Sequence, residues 1–89
     1  TNCLAPLAKV LHEMEHVLGV VAVHDLHIWT ISSGMHALSA HVVVDGCDLG
    51  RNDELLRTVR ELLHARFEID HVTLQIETPK YCEGAAVPH

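Results

Sequence analysis

The chain of 89 residues predicts an α+β fold, a two-layer sandwich with the element order αββαβ. Three observations carry this. Apolar residues recur at helical spacing in two separate stretches, three other stretches alternate or cluster as strands do, and one tight turn joins the first two of those strands. No repeat, low-complexity run or Pro/Gly/Ser-rich linker divides the chain. Its length suits one domain that buries roughly 60 to 65 % of the surface its unfolded form exposes.

The first helix is expected over residues 5–18, where Leu7, Val10, Leu11, Met14, Val17 and Leu18 form one apolar stripe and Gly19 provides the stop. Val20 to Ile31 is rich in β-branched residues and reads as a strand. Its apolar phase slips: Val21 and Val23 point inward at odd positions, Leu26 and Ile28 at even ones. A β-bulge at Asp25 accounts for the slip. "SSGMH" turns the chain around Ser33 and Gly34, and Met35 to Val44 places Leu38, Ala40, Val42 and Val44 on one face.

A polar loop, Asp45 to Gly50, leads to a second helix over residues 52–66, with Leu55, Leu56, Val59, Leu62 and Leu63 inward and Asn52 or Asp53 as the cap. Val72, Leu74 and Ile76 then alternate with His71, Thr73, Gln75 and Glu77 in a last strand. The crossover between the second and third strands obeys the right-handed rule if they run parallel, so the three-stranded sheet is mixed, with both helices on one face. The layout resembles a ferredoxin-like or metallochaperone-like sandwich. Residues 1–82 are expected to form the domain, with a loose segment from Pro79 and a flexible tail at 83–89.

Composition narrows the function. Nine histidines stand against six Lys plus Arg, with a net charge of −6, so a nucleic-acid partner has no basic footprint to use, whereas divalent cations are attracted. The longest apolar run, Val17 to Val23, is far short of the ~20 residues that cross a bilayer, so the piece is expected to be soluble as it stands. Cys3, Cys47 and Cys82 lack any C-x-x-C spacing, which argues against a disulfide scaffold and fits a reducing, cytoplasmic setting.

One motif points elsewhere. His12, Glu13 and His16 spell the H-E-x-x-H of a zinc protease, followed by Gly19 at the metzincin spacing. Yet both histidines lie opposite the apolar stripe, and Ala22 occupies the third ligand position that a catalytic zinc requires. The motif reads as a solvated helix face, with an adventitious surface zinc site as its metal-binding alternative. No catalysed reaction is expected.

The open face of the sheet is a stronger candidate. It carries His24 before the bulge, His27, Trp29 and Ile31 after it, Ser39 and His41 on the second strand, and His71, Thr73, Gln75 and Glu77 on the third. A hairpin centred on Ser33 puts residue 41 opposite residue 25, close to both His24 and His27. Parallel strands starting at similar levels bring Glu77 beside His41. Two imidazoles and a carboxylate suit Zn²⁺, which takes N and O donors at about 2.0–2.2 Å. Trp29 and Ile31 on the same face suggest a homodimer contact, with packing against the tail as the other reading.

"VHDLHIWTISSGMHALSAHVVV", followed by a helix and "HVTLQIE", resembles the cytoplasmic C-terminal domain of the cation diffusion facilitator transporters, which export zinc, cadmium and cobalt. The resemblance spans residue 5 to about residue 82, with D-L-H-I-W, S-A-H-V and Q-I-E in order. It implies a homodimer, a preceding transmembrane domain that exchanges metal for protons, a location on the cytoplasmic side of the membrane, and Zn²⁺, Cd²⁺ or Co²⁺ as the ion bound. It carries the family's cytoplasmic ligands onto His24, His41 and Glu77, with His71 and Cys82 completing a second or bridged site in some members. Other members have a tail C-x-x-C where this chain has Cys82 alone, and the second reading of Cys82 is a free thiol on a mobile tail. His36 and His89 are expected in solvent. The function implied is a metal-sensing and dimerisation domain without a small-molecule substrate. The alternatives are a free-standing metallochaperone, which would need a transferable thiolate pair, and an acidic dimerisation domain with no metal role.

Overall fold

The structure, a computed structural model, describes residues 7–85. Cys3, residues 5 and 6 of the expected first helix, and residues 86–89 of the expected tail, including His89, lie outside them. The elements are α1 (Leu7–Glu15), β1 (Val20–Ser32), β2 (Met35–Val44), α2 (Leu49–Phe67), β3 (Ile69–Glu77) and α3 (Lys80–Ala85). The sheet order is β1-β2-β3, with β1 and β2 antiparallel and β2 and β3 parallel. The sandwich is mixed, as the crossover rule predicts.

Burial follows the apolar spacing. Val10 and Met14 of α1, Leu55, Val59 and Leu63 of α2, and Leu38, Val42 and Val44 of β2 form one cluster with Val23 and Ile69. Burying each of the larger side chains contributes about 1.5–3 kcal/mol. Because the helices cover this face alone, the opposite face of the sheet stays open, and that is where the polar residues stand.

The structure differs from expectation in several particulars. α1 ends at Glu15, and the chain leaves it through turns whose N–H groups reach only three residues back, from His16 to the Glu13 carbonyl and from Val17 to that of Met14. Leu18 is consequently 88 % exposed rather than part of the stripe. Gly19 makes the reversal with φ +97°, and a Cβ there would lie 2.9 Å from Leu55 Cδ1, so both conformation and space call for glycine.

α2 begins at Leu49, capped not by Asn52 or Asp53 but by Asp48, whose Oδ1 accepts from the N–H groups of Gly50 and Arg51 at 3.0 and 3.2 Å. Leu49, Gly50 and Arg51 are solvent-exposed, so the start of the helix leaves no apolar rhythm to read. Asn52 is instead buried, at 5 % exposure.

In β1 the register shifts three times, between Val20 and Ala22, between His24 and His27, and between Thr30 and Ser32 beside the turn. The second shift is the expected bulge, with Asp25 in the left-handed region at φ 54°. The first was not expected, and it turns Val21 outward to 61 % exposure instead of into the core.

The segment after Pro79 is not loose through residue 85. It forms α3, fastened by Tyr81 Oη donating to the Asp45 carbonyl at 3.1 Å. Cys82 is buried at 4 % exposure and joined to Cys47 in a disulfide with a Cα–Cα distance of 5.4 Å. The expectation of unpaired cysteines fails because the parallel pairing of β2 and β3 brings the two segments that follow them to the same end of the sheet. His36, expected in solvent, is 8 % exposed and shares a hydrogen bond of 3.3 Å with Thr30 Oγ1.

Candidate metal centre

The bulge assembles the site. Taking Asp25 out of the ladder lets His24 pair with His41, and His27 with Ser39. His24 and His41 then face each other on neighbouring strands, with ring centroids 4.9 Å apart. On the far side of β2, the Cα register sets Gln75 beside His41 and Glu77 beside Val43. The Glu77 side chain reaches back along the strand from there.

Its two oxygens serve one imidazole each. His24 Nε2–H donates to Oε1 at 2.8 Å and His41 Nδ1–H to Oε2 at 2.7 Å. Asp25 closes the other side, with Oδ2 at 3.4 Å from His24 Nδ1 and 3.9 Å from His41 Nδ1. His24 thus has a carboxylate against each ring nitrogen. The hydrogen bond to Glu77 raises its pKa above the ordinary histidine value, against a smaller opposing effect of desolvation. Hydrogen bonds from His24 and then from His41 lower the Glu77 pKa.

The cluster is open to solvent on one side: His24 is about half exposed, His41 and Glu77 about a third. Ligand atoms of His24, Asp25 and His41 all lie within 4.8 Å of one another, the one such group of three or more among the described residues. Two imidazole nitrogens and two carboxylates, held by protons at positions that a cation can take over, are a donor set suited to Zn²⁺.

His24, His41 and Glu77 are therefore brought together. His71 and Cys82 are not. His71 pairs with Ala37, four residues from the His41 level and so roughly 13 Å along the strand. It shares a groove with His64 and Asp70. Cys82 is held at the end of the sheet by Cys47. Asp25 is the candidate ligand that sequence reasoning missed. Its signal was the bulge itself, because an aspartate tolerating φ > 0 is turned out of the strand alternation.

His12 on α1 and His16 in the turn just after it are both exposed. His16 Nδ1 contacts the His12 carbonyl at 2.8 Å, and Glu13 faces Arg66 at 3.5 Å. A protease would need that glutamate free to activate water. Trp29 and Ile31 remain 47 and 52 % exposed. α3 docks at the Asp45 end of β2 while Trp29 pairs with Ala37 at its start, so the tail through residue 85 does not cover them.

Residues 6–79 match the family described as the cytoplasmic domain of cation efflux proteins. The chain belongs to this family. A cadmium, cobalt and zinc/H⁺-K⁺ antiporter of Bacillus velezensis is 41 % identical over 73 residues, covering 81 % of this chain and 23 % of that protein. The metal cation efflux system protein CzcD of Cupriavidus metallidurans is 36 % identical over 83 residues, covering 93 % and 26 %. The chain thus spans about a quarter of the length of these relatives.

The metal-bound C-terminal domain of the CzcD transporter superposes with a TM-score of 0.73 at 38 % identity, covering 82 % of this chain and 99 % of that one. The C-terminal domain of MamM, at 16 % identity and a TM-score of 0.70, shares the fold. No helix among the described residues is long and apolar enough to cross a membrane.

Proposed function

We propose that this chain is the cytoplasmic metal-sensing and dimerisation domain of a proton-coupled zinc, cadmium and cobalt efflux transporter, joined to a preceding transmembrane domain. His24, His41 and Glu77 bind Zn²⁺, with Asp25 as a further carboxylate. The observation that carries this reading is the Glu77 bridge, a carboxylate from one strand holding imidazoles from two others.

The chemistry is an exchange. A cation entering between the rings displaces the protons that now join them to Glu77, and it ties the three strands together more strongly than those hydrogen bonds do. A homodimer places the exposed Trp29 and Ile31 against a second copy, and metal binding beside that contact shifts the relation of the two copies, and with it the attached transporter. The relatives that share this domain are named for metal transport, and the CzcD domain was obtained with metal bound.

Zinc calorimetry together with sedimentation, with and without zinc, tests the reading. Binding with heat at pH about 7.5, above the ordinary imidazole range, and a zinc-dependent change in the dimer are expected. A folded chain that takes up no zinc would remove the metal role and leave the acidic dimerisation domain.

A further inference from the structure

Cys47 lies in the loop between β2 and α2, and Cys82 in α3, 35 residues away in sequence. Both follow the strands that carry His41 and Glu77, but at the end of the sheet, apart from the cluster on its open face. Their disulfide is not the only fastening there. The Tyr81 hydroxyl holds the Asp45 carbonyl, the Cys82 N–H donates to the Pro79 carbonyl at 2.9 Å, and Cys82 is buried. Cleaving the S–S bond leaves these contacts in place, so the two thiols stay neighbours.

The surroundings of Cys47 also suit a negatively charged sulfur. Cys47 immediately precedes Asp48, the cap of the 19-residue α2, and a helix N-terminus stabilises negative charge. The Arg51 guanidinium lies beside Gly46. The nearby carboxylate of Asp48 is engaged by the N–H groups of Gly50 and Arg51.

We propose that the reduced Cys47 and Cys82 form a second cation site for a soft divalent ion such as Cd²⁺, closed by the disulfide and opened by a low-molecular-weight thiol. Two molecules of that thiol supply the electrons. The first attacks the disulfide and leaves one protein thiol and a mixed disulfide; the second releases the other protein thiol and departs as the oxidised small-molecule disulfide. The ion then forms two metal–sulfur bonds as the two thiols give up their protons. Soft sulfur donors select Cd²⁺ over harder cations, and a pair already held together loses little freedom on binding. The site does not depend on the sheet-face reading, which uses nitrogen and oxygen donors.

The test is a Cd²⁺ titration of the Cys3→Ser chain, reduced with a phosphine and freed of it without air. Sulfur-to-cadmium charge-transfer absorption is expected to saturate at one ion per chain, to survive in His24→Ala/His41→Ala, and to vanish in Cys47→Ser, in Cys82→Ser and after the disulfide is re-formed with diamide. Cys47 is the partly exposed partner, so its variant keeps the test valid if Cys82→Ser fails to fold. No such absorption in a chain whose two thiols titrate as free would overturn the proposal. So would absorption undiminished in Cys47→Ser, or absorption lost with the two histidines.

Discussion

His41 and Glu77 stand on adjacent parallel strands, and the Nδ1–H of one donates to the Oε2 of the other at 2.7 Å. The same carboxylate holds His24 from the antiparallel side, so a single glutamate links all three strands across the open face.

That link predicts a pH signature for the metal-free chain. His24, with its pKa raised by the Glu77 hydrogen bond, contributes stability that is complete below the ordinary histidine range and lost as pH rises through the raised value. Glu77, with its pKa lowered by His24 and then His41, contributes above the ordinary carboxylate range and loses that contribution as pH falls through the lowered value. The ion pair therefore stabilises the fold in the weakly acidic window between them. In Glu77→Gln the His24 titration, followed by NMR, is expected to fall back toward the ordinary histidine value. An unchanged titration would show that Glu77 is not what raises it.

Zinc binding is expected to weaken as pH falls, because the ion needs the imidazoles that protons occupy. The raised pKa of His24 makes this competition begin at a higher pH than for an unperturbed histidine of ~6.5. Calorimetry in buffers of different ionisation heat is expected to show proton release on binding. Release that does not grow as pH falls toward the histidine range would contradict the exchange.

His12→Ala combined with His16→Ala is expected to leave tight zinc binding intact, since both residues are exposed at the end of α1 and Glu13 is engaged by Arg66. Loss of tight binding in that pair, measured by competition with a zinc indicator, would move the site to the H-E-x-x-H helix.

Asp48→Ala is expected to cost about 1 kcal/mol in urea denaturation, and Asp48→Asn much less, because the side-chain oxygen satisfies two N–H groups at the start of α2. Equal losses in the two variants would mean that the charge, and not the cap, is what matters there.

Much of this was legible in the residues. Strand alternation in β2 and β3 separates the core side from the open side, and the phase slip in β1 locates the bulge at Asp25. Together they single out His41 and Glu77 with either His24 or His27. The choice of His24 over His27 depends on which of the two histidines flanking the bulge is paired with His41, and periodicity cannot show that. Asp25 itself was hidden by its bulge role. The Cys47–Cys82 pair and the docking of α3 were illegible for a different reason: they are contacts between segments far apart in sequence, made possible by the parallel ends of β2 and β3, and nothing local to Cys82 announces them. The cap at Asp48 was missed because its helical turn is exposed and carries no apolar rhythm.

The central claim is that the cation sits on the open face with His41 at its centre, and thermal melting with and without zinc tests it most directly. With the disulfide intact, zinc at a hundredfold excess over its dissociation constant is expected to stabilise the chain by about 2.7 kcal/mol. In His41→Ala most of that gain should vanish while the metal-free melting temperature stays nearly unchanged, because the side chain lies on the face away from the helices. An undiminished zinc shift in His41→Ala would contradict the account.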